Sequence, residues 1–226
     1  MTKKIRVTIL DDHQSIIDGY LYRLSSFKNI EVVAKLLSGE ELDPSLAENS
    51  TDVLLLDFNI PSSPDNPNLY PTLTEIPRLL QLYPNLDILV ISMIAERGVI
   101  RAVMEAGASG YILKDDSVAI QDLGNVILSV ADGGVYLSPK AGELYQKANE
   151  ASTLTRRQLE ALLLCAAFPS SKTAELAQRM SVTNSTVRNL LSGAYIKLDT
   201  HTRAGAIEKA RRLGLLTSEI PTTPRV

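Results

Sequence analysis

In Val53-Leu54-Leu55-Leu56-Asp57-Phe58-Asn59-Ile60-Pro61 four apolar residues run straight into a carboxylate, and a proline follows. A short unbroken apolar run bounded by turn residues reads as a strand buried on both faces. Three other runs end the same way: Ile5 to Leu10 stops at Asp11-Asp12, Ile88 to Ile91 at Ser92, and Tyr111-Ile112-Leu113 at Lys114. Open parallel sheets place their chemistry at the carboxyl edge of the strands. The four endings therefore predict one crowded site, and carboxylates beside a lysine and a hydroxyl suit a metal ion and a phosphoryl group.

Between these runs lie segments at helical spacing. Strands are predicted at 5–10, 30–36, 53–57, 87–92 and 110–113, with helices near 14–26, 39–48, 72–83, 97–106 and 117–131. That alternation gives an α/β unit with a five-stranded doubly wound parallel sheet over residues 1–131. Gly133-Gly134 closes its last helix, and 132–152 reads as a linker with room for one helical segment. The stretch 61–71 carries four prolines and cannot be regular helix. It is expected as a long loop, either a surface insertion or a lid beside the Asp57 site.

After Ser152 the pattern is helical only, with helices predicted at 156–167, 171–180, 184–198 and 202–213 and a tail at 217–226. Two helices joined by the short turn Met180-Ser181-Val182 form a helix-turn-helix signature within 153–216. Residues 1–150 hold 12 Lys/Arg against 21 Asp/Glu, net −9, whereas 151–226 hold 11 against 5, net +6. The basic half points to a polyanionic partner. Composition, 45% hydrophobic and 22% charged, is that of a globular protein, and no apolar run is long enough for a membrane span. The single cysteine, Cys165, is expected in the core and fits a reducing cytoplasm.

The phrases Leu10-Asp11-Asp12-His13, Leu55 to Pro61, Val90-Ile91-Ser92 and Ala106 to Lys114 resemble, in order and spacing, the receiver domain of two-component systems, a flavodoxin-like fold. The resemblance implies a phosphoacceptor, Asp57, served by a sensor histidine kinase. It implies Mg²⁺ held by Asp11, Asp12, Asp57 and the backbone carbonyl of Asn59. It also implies a phosphoryl-binding and switch set of Ser92, Tyr111 and Lys114. His13 reads as the opening of the first helix.

Leu154 to Leu162, Ala174-Glu175-Leu176-Ala177, Val182, Thr186-Val187-Arg188, Lys197-Leu198 and Arg203 resemble the LuxR-type helix-turn-helix. Together the two resemblances describe a response regulator of the NarL/FixJ class that binds double-stranded DNA as a homodimer. Arg188 falls at that family's basic DNA-contacting position; Thr183, Asn184 and Ser185 at the helix start, with Asn189 and Lys197 further along, read as DNA contacts, and Glu160 reads as paired to Arg188 or Arg203. An alternative keeps the fold but puts control in a partner or ligand rather than phosphorylation. A third reading, a phosphohydrolase with an aspartyl nucleophile, would need an Asp-x-Asp on the first strand, where this chain has Asp11-Asp12.

Overall fold

The computed structural model describes residues 4–146 and 154–216. The predicted linker segment 147–152 and the tail 217–226 lie outside the described residues. The chain order begins β1 (Ile5–Leu10), α1 (Gln14–Leu24), β2 (Ile30–Leu36), a 3₁₀ turn at Gly39–Glu41, α2 (Leu42–Glu48) and β3 (Val53–Asp57). It continues with β4 (Pro61–Ser63), β5 (Asn66–Leu69), α3 (Thr72–Leu82), β6 (Asp87–Ser92), α4 (Arg97–Glu105) and β7 (Gly110–Leu113). Then come α5 (Ser117–Gln121), α6 (Leu123–Ala131), β8 (Tyr136–Leu137) and α7 (Pro139–Gln146). The last four helices are α8 (Arg156–Ala167), α9 (Thr173–Met180), α10 (Asn184–Lys197) and α11 (Arg203–Arg212).

The main sheet is parallel in the order β2-β1-β3-β6-β7-β8. It has six strands where five are predicted. The sixth, β8, is two residues long, too short to show any periodicity. It is held by Tyr136 N–H to the Ser109 carbonyl and Ser138 N–H to the Tyr111 carbonyl, both 3.0 Å. The expected linker 132–152 therefore begins as part of the sheet and runs on into α7.

Two further expectations change. The predicted helix 117–131 breaks at Asp122, which ends α5 and starts α6 while its carboxylate accepts from Asn125 Nδ2 at 2.6 Å. The proline-rich loop is an antiparallel hairpin, β4 with β5, pairing Pro61 with Leu69 and Ser63 with Asn66. The Tyr70 ring, just past the hairpin, sits where a Cβ on Gly39 would stand. Only a glycine leaves room for it, so the hairpin is fastened sideways onto the turn Gly39–Glu41.

Strand faces alternate, and each feeds its own core. Val7, Ile9, Leu55, Leu89 and Ile112 pack beneath α1 and α6. Leu10, Leu54, Leu56, Ile88 and Val90 pack beneath α3 and α4, and this second cluster continues into the helical unit through Leu162, Leu176, Val187 and Leu191. One apolar core thus joins the two halves on the α3–α4 side.

In the helical unit, Thr155 caps α8 by a reciprocal capping box with Gln158. Ser181, in the left-handed conformation, turns the chain between α9 and α10, and the Thr183 hydroxyl caps α10 by accepting from Thr186 N–H at 3.1 Å. Gly193 in mid-α10 lies against the buried Gln158 side chain of α8, so the absence of a Cβ lets the two helices approach closely. Cys165 is fully buried, as its apolar neighbours predict.

Candidate functional site

The register places β3 between β1 and β6, with Asp57 opposite Ile91 and Leu56 opposite Leu10. Asp11 and Asp57 thus leave neighbouring strands at the same edge, and both are buried. Lys114, after β7, reaches across: its Nζ donates to Asp11 Oδ2 and to Asp57 Oδ2, each at 2.7 Å. Burial pushes the Asp57 carboxyl above its ordinary value, and the hydrogen bond and charge of Lys114 pull it part of the way back. For Lys114 burial acts against the charge, but the two carboxylates outweigh it and lift its pKa above that of an ordinary lysine.

Asp12 is half-exposed, and His13, at the N-cap of α1, brings Nδ1 to 2.7 Å from Asp12 Oδ1. His13 N–H donates to Asp11 Oδ1 at 3.0 Å, and Asn59 N–H to Asp57 Oδ1 at 3.3 Å. Ligating atoms of Asp11, Asp12 and His13 lie within 4.8 Å of one another, and Asp57 joins Asp11 through the shared lysine. A single lysine leaves surplus negative charge on the three carboxylates Asp11, Asp12 and Asp57, whose oxygens fit a hard divalent cation.

Ser92 is buried at the end of β6, its Oγ accepting from Ile94 N–H at 3.1 Å. The Tyr111 ring is fully buried and its hydroxyl donates to the Ile94 carbonyl at 2.8 Å. Both side chains therefore hold the same segment, the one leading into α4. Tyr20, which the sequence reading passed over, is buried beside the pocket, where burial first and then the charges of Asp11 and Asp57 raise its phenol pKa. Its helical spacing marks it only as a core residue.

The model of the response regulator receiver domain matches residues 7–125. The chain belongs to that family. The transcriptional regulatory protein DegU of Brevibacillus brevis is 28% identical, over 93% of this chain and 94% of that protein. DesR of Bacillus subtilis is 29% identical, over 93% of this chain and 98% of its own length. Among solved structures, the RcsB response regulator of Salmonella typhimurium superposes with a TM-score of 0.57 at 21% identity, covering 94% of this chain and 100% of that one. That likeness supports the receiver fold followed by a helical unit. Among the described residues no helix is long and apolar enough to cross a membrane.

The residues expected at DNA lie elsewhere in this arrangement: α10 is packed on the receiver. Arg188 is buried, its Nη2 donating to the Leu86 carbonyl and, at 2.9 Å, to Asp87 Oδ1. Asn184 Nδ2 donates to the Pro84 carbonyl, and Asn189 Nδ2 to the Glu105 carbonyl at 2.7 Å. Ser185 lies against Gly107, whose positive φ of 106° and missing side chain admit it. Thr183 is occupied as the helix cap. Lys197 turns inward to Gln158 Oε1 at 3.1 Å.

Glu160 pairs with neither Arg188 nor Arg203. It sits on the outer face of α8, one turn from Arg157, and binds that residue at 3.0 Å. The partner of Arg188 is Asp87 at the start of β6, which also accepts from Ser109 Oγ at 2.9 Å. Asp87 is the one carboxylate of the predicted strand 87–92, and nothing local in that run marks it as a contact between units.

Proposed function

We propose that the chain is a phosphorylation-controlled DNA-binding response regulator, acting in the cytoplasm, with Asp57 as phosphoacceptor. The observation that carries this reading is the buried triangle of Asp11, Asp57 and Lys114 at the carboxyl edge of the sheet, both lysine contacts at 2.7 Å. A carboxylate oxygen of Asp57 attacks phosphorus in a phosphohistidine of a sensor kinase; the O–P bond forms as the P–N bond to the imidazole breaks. Lys114 then shifts from the carboxylate to a phosphoryl oxygen, and Ser92 is the nearby hydroxyl donor. Asp11, Asp12, Asp57 and the carbonyl of Asn59 are the groups that would hold Mg²⁺. Bound there, the ion offsets negative charge on the phosphoryl oxygens.

Movement of Ser92 towards a phosphoryl oxygen disturbs the segment that Tyr111 holds through Ile94, and that segment leads into α4. The carbonyl of Glu105 at the far end of α4 is a docking point of α10. Phosphorylation therefore biases the contact that covers α10, and DNA binding by Asn184, Ser185, Arg188 and Asn189, with Thr183 and Lys197 on the same helix, requires the units to part. Solved structures of RcsB include a complex with DNA; for this chain a homodimer on paired half-sites is the corresponding arrangement.

The test is incubation with acetyl phosphate and Mg²⁺, comparing wild type with Asp57→Ala. An acid-labile phosphoryl adduct on the wild type alone is expected; equal adduct on both, or none, overturns the reading. Arg188→Ala should weaken operator binding by the phosphorylated protein, and unchanged affinity at physiological salt would remove Arg188 from the DNA contact.

A further inference from the structure

The phosphoryl chemistry at Asp57 leaves His13 without a task. His13 stands at the N-cap of α1, where Ser, Thr, Asp and Asn are preferred because their short side chains accept from the first helix N–H groups. The His13 side chain makes no such capping bond. Its ring turns to the carboxylates instead: Nδ1 lies 2.7 Å from Asp12 Oδ1 and 3.6 Å from Asp11 Oδ1.

The division of charge in the pocket leads to the same residue. Lys114 spends its contacts on Asp11 and Asp57, and Asp12 is paired with His13. Side-chain exposure rises from Asp11 at 2% through Asp12 at 29% to His13 at 66%. The buried carboxylates thus form the floor of the pocket and the imidazole stands at its mouth, on the path by which an ion enters.

Donors held on one first-row ion by bonds of about 2.0–2.2 Å stand roughly 3–4 Å apart. One ligand atom from each of Asp11, Asp12 and His13 lies within 4.8 Å of the other two, so small side-chain adjustments bring them to that spacing. The nature of the donor matters as much as its place. Mg²⁺ takes oxygen ligands and keeps several waters, whereas an imidazole nitrogen suits Fe²⁺, Ni²⁺ and Zn²⁺. Carboxylates joined by one imidazole therefore make a mixed set that an oxygen-only pocket does not offer.

We propose that His13 is a metal ligand that sets the ion selectivity of the pocket. Through Nδ1 it adds a nitrogen to the carboxylate oxygens, and this raises the affinity for borderline first-row divalent ions while leaving that for Mg²⁺ unchanged. The inference rests on the reading of Asp11, Asp12 and Asp57 as a divalent-cation site. A His13 that only opened α1 and steadied Asp12 would affect every ion alike.

The test uses Co²⁺, which lies between Fe²⁺ and Ni²⁺ in the affinity order of such ions, beside Mg²⁺. Each is titrated calorimetrically into the full chain at one fixed pH, wild type against His13→Asn. Asparagine is a good N-cap and keeps a hydrogen-bond donor for Asp12, but it has no imidazole. The variant is expected to bind Co²⁺ about tenfold more weakly and Mg²⁺ within about twofold of wild type. Proton NMR of the Co²⁺ complex should show a hyperfine-shifted ring N–H resonance. It should vanish in His13→Asn and persist in His201→Gln, which removes the chain's other histidine, near Tyr136. Equal losses for both ions would make His13 a positioning residue and overturn the proposal, as would unchanged Co²⁺ affinity or a shifted resonance that survives His13→Asn. If Mg²⁺ does not bind the wild type, the cation reading of the pocket fails and takes this proposal with it. If Mg²⁺ binds and the ratio of the two affinities is the same in both proteins, the proposal alone fails.

Discussion

Asp57 carries a charge that folding makes harder to hold. Its pKa in the folded protein lies above the ordinary 3.8, chiefly through burial, so the folded state keeps a proton at pH values where the unfolded chain has lost it. Stability therefore falls as pH rises from the unfolded value through the folded one, and at neutral pH the ionised carboxylate is a net cost. Asp57→Asn is expected to melt at a higher temperature than wild type at pH 7, with the gain shrinking as pH falls through the raised folded value towards 3.8 and absent below it. Calorimetric melting of both proteins across that range checks the sign. Lys114 is the opposite case: removing it leaves Asp11 and Asp57 facing each other in a buried site. Lys114→Met should cost on the order of 3 kcal/mol in metal-free urea denaturation, and less in an Asp57→Asn background.

Among the elements, the hairpin of β4 and β5 and the breaks around it show where local pattern stops being informative. Proline spacing over 61–71 excludes helix but cannot distinguish a loop from a short hairpin, because the decisive partner, Gly39, lies far away in sequence. A methyl group on Gly39 would meet the Tyr70 ring. Gly39→Ala should therefore destabilise by about 1–3 kcal/mol and raise hydrogen exchange across 61–70, leaving phosphoryl uptake at Asp57 intact. The strands that form the site were readable because each is buried on both faces and ends at its functional residue. Helix α10 was readable in position from its cap Thr183 and the turn before it, yet its exposed-looking polar residues gave no sign of what they would touch.

For the whole molecule, the main event is the packing of α10 onto the receiver through Arg188 and Asp87, with one apolar core running beneath. Asp87 is partly buried, and substituting it leaves the buried Arg188 without its counter-charge, a strongly unfavourable state that separation relieves. Asp87→Ala is expected to expand the unphosphorylated protein in small-angle X-ray scattering and to raise its DNA affinity towards that of the phosphorylated wild type. Unchanged scattering and unchanged affinity would mean that the contact exerts no control.

Local pattern along the chain suffices for the α/β order, for the strand ends that gather Asp11, Asp57, Ser92 and Lys114, and for the capped helices of the basic unit. These follow from local periodicity, from capping chemistry and from the rule that parallel strands end at a common edge. Long-range packing sets the rest: β8 joins the sheet, the proline-rich stretch is a hairpin, Glu160 stays on its own helix, and Arg188 faces Asp87. Those outcomes depend on contacts between residues distant along the chain. Whether a guanidinium meets a carboxylate, a carbonyl or a nucleic acid is set by which surface buries it, and no local pattern records that choice.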